Sequence, residues 1–225
     1  LKKLAESKQA KLCQRFFKTG PGQYGEGDIF LGIKIPVLRQ TAKKYLDLDS
    51  INIQALLNSE IHEHRLTALF ILIDQYEKGN NKKKKQIFDL YLKNTNNINN
   101  WDLIDLSAPK IVGSYLLNKD RKILYKLAGS KSLWEKRISI LATFAFIDKN
   151  NFNDCLKISK LLLNDDHDLI HKAVGWMLRE LGKRDRRVEE KFLKQYYKQM
   201  PRTMLRYAIE KFSESKRQKY LKGLI

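Results

Sequence analysis

Residues 96–109, NNINNWDLIDLSAP, combine side chains that suit chemistry with a residue that disrupts helices. Trp101 and Asp105 are four residues apart, so a helix would place the indole and the carboxylate on one face. Pro109 lacks an N–H group and crowds the carbonyl of Asp105, which predicts that the helix kinks or ends there. Asp105 would then face a groove as a charged group; the alternative is a kinked core helix whose aspartate has a structural partner.

A second candidate is Arg137, in the stretch SLWEKRISILATF. Ser132 and Glu135 have the spacing of a capping box, which predicts a helix that begins at Ser132. Arg137 then lies on an apolar stripe and requires an anion, because an unpaired buried charge is strongly destabilising. Asp105 or a phosphate group would serve as that anion, and a purely structural Asp105–Arg137 ion pair is the alternative.

Trp176 lies at the edge of a basic helix face in the stretch HKAVGWMLRELGKRDRR. Three cations occupy neighbouring helical positions around it: Lys172, Arg179 and Lys183. A tryptophan beside cations suits stacking on a sugar or base next to phosphates, whereas a solvated helix face would explain only the charge. Tyr24, in the glycine-rich segment 18–34, is a weaker aromatic candidate of the same kind.

The charge of the chain favours a polyanionic partner. Its 225 residues include 44 Lys and Arg against 25 Asp and Glu, a net charge of +19. Residues 183–225 hold 14 of these basic residues against five acidic ones. Nucleic acid is the partner most often bound by such an excess, because basic side chains near phosphates release counterions. A membrane surface and a generally lysine-rich composition are the alternatives.

Helical periodicity dominates the chain, and no convincing alternating strand is present. Apolar residues recur at helical spacing in six segments: 61–76, 86–92, 133–147, 154–163, 169–181 and 188–200. Helix, short turn and helix follow one another at a spacing of roughly 35–45 residues, as in degenerate helical repeats. We therefore predict an all-α fold in a single domain, residues 1–225, with antiparallel helix pairs stacked as a HEAT- or ARM-like right-handed curved solenoid with a concave basic face. A compact helical bundle is the alternative.

Several classes of site are disfavoured. Cys13 and Cys155 are too few for a disulfide framework or a zinc site and suit a reducing cytosol. His167 and His171 have the spacing to share a metal, but no third ligand follows a recognisable pattern, so no metal is expected. No apolar run approaches the length of a membrane span, and motifs of serine hydrolases, zinc proteases and P-loop proteins are absent.

Four motifs, FLGIKIPVLR, NNWDLIDLSAP, LWEKRISI and HKAVGWMLRE, together resemble the DNA alkylation repair family of AlkD-like, HEAT-like-repeat DNA glycosylases. They occur in the family's order, and the resemblance covers nearly the whole chain. It implies a helical solenoid that holds duplex DNA and hydrolyses the N-glycosidic bond of cationic N3- or N7-alkylated purines. It also implies a monomer that acts without a cofactor or a metal in the cytoplasm, at the nucleoid.

The resemblance assigns roles to individual residues. Trp101, Asp105, Arg137 and Trp176 match the family's active-site aromatic, carboxylate, arginine and second aromatic. Tyr24 resembles the family's N-terminal loop tyrosine, and Arg179 resembles a contact to the DNA backbone. With Lys172 and Lys183 of the basic face, these form the expected DNA-binding set. The chain departs from the family at two positions: Asn100 precedes Trp101 where a second tryptophan is frequent, and His171 replaces a more usual arginine.

Overall fold

The structure, a computed structural model, describes all 225 residues and consists of helices joined by loops. The only β-type pairing is an isolated bridge between Ile29 and Ile61, so the all-α prediction is confirmed. The chain divides into two compact units, Leu1–Ser107 and Ala108–Ile225. The single-domain prediction and the HEAT-like stacking of helix pairs stay predictions.

The first unit begins with a 3₁₀ turn, Lys2–Leu4, and continues with six α-helices. These are α1 (Ser7–Phe16), α2 (Ile35–Lys43), α3 (Ser50–Leu57), α4 (His62–Lys78), α5 (Asn81–Lys93) and α6 (Trp101–Ser107). The glycine-rich segment between α1 and α2 contains no helix.

The second unit contains nine α-helices and two turns of other helical types. A π-helical turn, Pro109–Gly113, leads into α7 (Ser114–Leu116), α8 (Lys122–Ala128), α9 (Leu133–Ala142), α10 (Phe144–Ile147), α11 (Asn153–Leu161) and α12 (Asp168–Arg184). The unit ends with α13 (Arg186–Tyr196), α14 (Arg202–Ala208), a 3₁₀ turn (Ile209–Lys211) and α15 (Glu214–Leu221).

Helix α4 is the centre of the first unit, and α2, α3, α5 and α6 pack against it. Every residue from Leu66 to Ile73 is buried, as expected for a helix that is apolar on all sides. The first turn of α4 is different, because it buries three ionisable side chains: His62, Glu63 and Arg65. Ionisable groups stay buried only when they have partners, so this turn is a polar centre inside the unit.

Helix α12 is the centre of the second unit and packs closely on α14. A Cβ atom at Gly175 would lie 2.4 Å from Met204 O and 2.5 Å from Tyr207 Cβ, so a glycine is needed for this approach. The glycine of the motif HKAVGWMLRE is therefore structural, and it precedes the candidate Trp176 directly.

Two predictions about helix ends are confirmed. Helix α6 ends at Ser107, and Pro109 begins the π-helical turn, in which Gly113 N–H donates to Ala108 O at 2.9 Å. Ser132 caps α9, and its Oγ accepts a hydrogen bond from Glu135 N–H at 3.4 Å. None of the helices is both long and apolar enough to cross a membrane.

Candidate active site

Helix α6 places Trp101 and Asp105 on the same side of the helix. Trp101 and Asp105 are both half-buried, one helical turn apart, while the opposite side of the helix is fully buried through Leu103, Ile104 and Ser107. The burial of that side fixes how α6 is rotated. It therefore determines the direction in which the indole and the carboxylate point.

The Trp101 indole belongs to an aromatic cluster at the end of α1. It stacks on Phe17, with centroids 5.2 Å apart and planes at 20°, and meets Phe16 edge-on at 5.8 Å. Phe16 is 65% exposed, which is unusual for a phenylalanine beside an already packed cluster. Phe16 is not among the candidates predicted from the sequence; the available signal was the pair Phe16–Phe17 before the glycine-rich loop.

Asn100 has a structural role that its position in the motif did not reveal. It is completely buried, and its Oδ1 accepts a hydrogen bond from Trp101 N–H at 2.8 Å. Its Nδ2 lies 3.4 Å from Asp28 Oδ2 in the glycine-rich loop. Asn100 therefore ties the start of α6 to that loop.

His62 connects the same loop to α6 through two carboxylates. Its Nδ1 lies 3.1 Å from Asp28 Oδ2 and its Nε2 lies 2.8 Å from Asp102 Oδ2. The ring is 2% exposed and stacks on Phe30 at 4.5 Å, with Phe17 at 5.2 Å. Burial by itself lowers the pKa of His62, but the Asp102 and Asp28 carboxylates outweigh it and raise the pKa to about 9. His62 is therefore an imidazolium at neutral pH.

This raised pKa predicts a pH dependence of stability. A histidine with a pKa near 6.5 when unfolded and about 9 when folded stabilises the fold fully below pH 6.5. The stabilisation is lost as the pH rises through about 9, and its full size is on the order of 3 kcal/mol. Urea unfolding at pH 6.5 and pH 10 measures it. The decrease in the free energy of unfolding between these pH values should be much smaller in His62→Gln than in wild type. An equal decrease in both proteins would contradict a raised pKa of His62.

The other end of α6 is also fixed. The Tyr91 hydroxyl lies 2.9 Å from Ser107 Oγ, and Ser107 Oγ donates to Leu103 O. Tyr91 and Ser107 are both completely buried. Burial raises the pKa of the Tyr91 hydroxyl, and the nearby charge of Asp105 raises it further. Asp105 therefore lies between two anchored ends of a short helix.

The motif FLGIK has a structural function in the first unit. The Glu63 carboxylate, at the start of α4, accepts hydrogen bonds from three consecutive backbone N–H groups at 2.7–3.3 Å. The three residues are Leu31, Gly32 and Ile33. Gly32 has a φ of +78°, which favours glycine. This clamp fixes the end of the glycine-rich loop on α4.

Tyr24 lies in that loop and is half-buried. Its hydroxyl donates to Phe16 O at 3.5 Å, and its ring lies 5.9 Å from the Lys18 ammonium. The contact to Phe16 brings Tyr24 to the same end of α1 as the Trp101 cluster.

In the second unit, Arg137 lies in α9 and is 4% exposed. Its Nη1 donates to Leu169 O in α12 at 2.5 Å, so the guanidinium is held against the first turn of that helix. The prediction that Asp105 pairs with Arg137 joins residues of different units and stays a prediction.

Trp176 is half-buried on α12, with the Phe144 ring at 6.5 Å. Its Nε1–H donates to Glu180 Oε1 at 3.0 Å, and Lys183 Nζ contacts the same carboxylate at 2.7 Å. Arg179 lies 3.5 Å from Glu180 and also pairs with Glu210. The expected basic face therefore contains an acidic centre that the sequence analysis overlooked.

The remaining candidates have local partners. Lys172 forms an ion pair with Asp168 at 2.7 Å, one turn earlier on α12. His167 Nδ1 accepts from Leu169 N–H at 3.1 Å, and His171 Nε2 contacts Asp165 O. No group of three or more His, Cys, Asp or Glu side chains is placed to hold a metal ion.

Comparison with known proteins decides the family. The family model described as "DNA alkylation repair enzyme" matches residues 1–212. The chain belongs to the DNA alkylation repair enzyme family. A solved structure of a predicted DNA alkylation repair enzyme from Enterococcus faecalis is similar, with a TM-score of 0.72 and 16% identity over 93% of this chain and 97% of that chain. At that identity the likeness shows the fold. No curated protein sequence matches the chain.

Within this family member, the structure groups some candidates and separates others by unit. Trp101, Asp105 and Tyr24 lie in the first unit, while Arg137 and Trp176 lie in the second together with the three basic residues of α12. His62 and Glu63 are not among the residues predicted from the sequence; the available signal was the run HEHR at the start of an otherwise apolar helix.

Proposed function

We propose that this family member is a DNA glycosylase that hydrolyses the N-glycosidic bond of cationic N3- or N7-alkylated purines in duplex DNA. The observation that carries the proposal is the half-buried Asp105 on α6, a helix anchored at both ends, one turn from Trp101 in an aromatic cluster. A carboxylate and an aromatic ring on one side of an anchored helix suit a reaction in which positive charge develops on a sugar.

Alkylation at N3 or N7 makes the base a cationic leaving group, so the reaction needs no general acid. As the bond between C1′ and the base nitrogen breaks, its electron pair neutralises the base and leaves an oxocarbenium-like deoxyribose. Asp105 stabilises that charge and orients a water molecule, whose oxygen bonds to C1′ as its proton passes to the carboxylate or to solvent. The products are the free base and an abasic site.

The other candidates take supporting roles in this proposal. Trp101 and Trp176 pack on the deoxyribose and add cation–π stabilisation, and Arg137 contacts a phosphate. The DNA-binding set consists of Tyr24, Lys172, Arg179 and Lys183. For the last two, DNA phosphates replace the carboxylates of Glu180 and Glu210 that now hold them. Because the motif that carries Asp105, NNWDLIDLSAP, contains no lysine that could act as a nucleophile, we propose a monofunctional enzyme without lyase activity.

Incubation with methylated duplex DNA tests the proposal against its main rival. Chromatography should detect free methylated purines, and the DNA should then break only on alkali treatment, since abasic sites accumulate. A non-catalytic helical-repeat protein that binds DNA or RNA would show salt-dependent duplex binding without base release. A scaffold for other proteins would show neither at moderate salt.

Phe16 provides a further test of the DNA interface. An exposed ring edge-on to Trp101 is placed to contact a base or sugar, and base–aromatic contacts are typically worth about 1–3 kcal/mol. Phe16→Ala should therefore weaken duplex binding by roughly tenfold, measured by fluorescence anisotropy. The matched control is Ile51→Ala, which removes an apolar side chain that is 80% exposed on α3 of the same unit. Equal affinity of the two variants would exclude Phe16 from the interface.

A further inference from the structure

The first turn of α6 is held by a charged bridge that neither the family assignment nor the proposed chemistry includes. His62 on α4 lies between two carboxylates. Its Nδ1 is 3.1 Å from Asp28 Oδ2 in the loop, and its Nε2 is 2.8 Å from Asp102 Oδ2 on α6. Asp102 directly follows Trp101, and the candidate catalytic carboxylate of Asp105 lies three residues further along. Whatever fixes Asp102 thus fixes the turn that carries both candidates.

We propose that His62 is a positioning residue, which through Asp102 sets the orientation of the Trp101 indole and the Asp105 carboxylate. The expected effect of His62 on base release rests on the proposed function. The expected effect of His62 on the orientation of Trp101 does not depend on that function.

The contacts around His62 favour positioning over simple packing. An apolar residue would fill a buried place with less desolvation, since a buried ion pair is often no more stable than apolar residues of similar volume. The bridge also leaves Asp102 Oδ1 buried without a hydrogen-bond partner in the protein, which is a cost to stability. The bridge instead fixes an orientation, because hydrogen bonds from the two ring nitrogens of His62 hold α6 in one position relative to the loop.

The charged surroundings keep His62 protonated. The groups that face it are the carboxylates of Asp28 from the loop and Asp102 from α6. The hydrogen bond from His62 and the charge of Arg65, which donates to Asp28 Oδ1 at 2.6 Å from α4, outweigh burial and lower the pKa of Asp28. From α1, Cys13 adds no charge at neutral pH, because burial raises the pKa of its thiol. Deprotonation of His62, which has a pKa of about 9, removes the attraction on both sides at once.

The first experiment uses the emission of Trp101 in a Trp134→Phe/Trp176→Phe chain, in which it is the sole tryptophan. Emission should change with a midpoint near pH 9, and the change should disappear when His62→Gln is added. His64→Gln is the matched control, since His64 is two residues away on α4 and bonds to Ser59 instead. Tyrosine ionisation at higher pH is common to all three chains and cancels in the comparison. An unchanged emission between pH 7.5 and 10, with far-UV circular dichroism constant, would overturn the proposal.

The second experiment separates positioning from binding. With protein in excess over a duplex containing 7-methylguanine, His62→Gln should slow base release about tenfold to 100-fold while the Kd for that duplex stays within about twofold. A rate equal to that of His64→Gln, or parallel losses of rate and affinity, would overturn positioning. If His62→Gln does not fold, Asp102→Asn and the wild-type pH profile replace it, and the wild-type rate should fall as pH rises through about 9. If wild type releases no base, the proposed function fails and the Trp101 emission still decides this inference.

Discussion

Asp105→Asn is expected to lower the single-turnover rate of base release by roughly 100- to 1,000-fold. The amide has nearly the same shape but lacks the negative charge, so it cannot stabilise the positive charge that develops on the deoxyribose. DNA binding should change little, because the loss falls on an interaction made mainly in the transition state.

Asp89→Asn is the matched control for this substitution. Asp89 is a partly exposed carboxylate on α5 of the same unit, paired with Lys85 at 2.6 Å, and its loss should leave the rate within about twofold. Urea unfolding of both variants checks that the fold is intact. A wild-type rate in folded Asp105→Asn would remove Asp105 from the mechanism.

Glu63→Ala is expected to destabilise the first unit strongly. It leaves the N–H groups of Leu31, Gly32 and Ile33 without their acceptor. Those of Gly32 and Ile33 are buried, and an unsatisfied buried donor costs about 1–3 kcal/mol. We expect a loss of about 3–5 kcal/mol in the free energy of unfolding, a large fraction of the stability of an ordinary domain.

Glu63→Gln separates the acceptor from the charge. The amide oxygen still accepts hydrogen bonds, so the loss should be smaller, about 1–2 kcal/mol. Glu60→Ala, at an exposed position just before α4, should change stability by less than about 0.5 kcal/mol. Urea midpoints of the three variants test this order. Similar stabilities of Glu63→Ala and Glu60→Ala would show that the clamp contributes little.

Helix positions and two helix ends were predictable because their causes are local. The apolar spacing of α4 and α12, the cap at Ser132 and the missing N–H group of Pro109 act within a few residues. The i, i+4 spacing of Trp101 and Asp105 likewise placed them on one side of α6.

The supports of the candidate site depend on contacts between distant parts of the chain. His62 reaches Asp28 and Asp102 across 34 and 40 residues, and no local pattern encodes such a pairing. The same holds for Glu63 and the backbone of FLGIK, where the motif was noticed but its partner was not. Around Trp176, the sequence predicted a face of cations. Glu180, in the same motif, was not predicted to be the carboxylate that Trp176 and Lys183 share.

The most direct test of the account uses wild-type protein in excess over a duplex oligonucleotide with a single 7-methylguanine. Release of the free base is followed by chromatography, spontaneous loss is subtracted, and Asp105→Asn is measured in parallel. We expect wild type to release the base far faster than the spontaneous reaction and the variant to remain close to it. Folded wild-type protein that binds the duplex and releases no base above the spontaneous rate would contradict the account and place the chain among non-catalytic DNA-binding proteins.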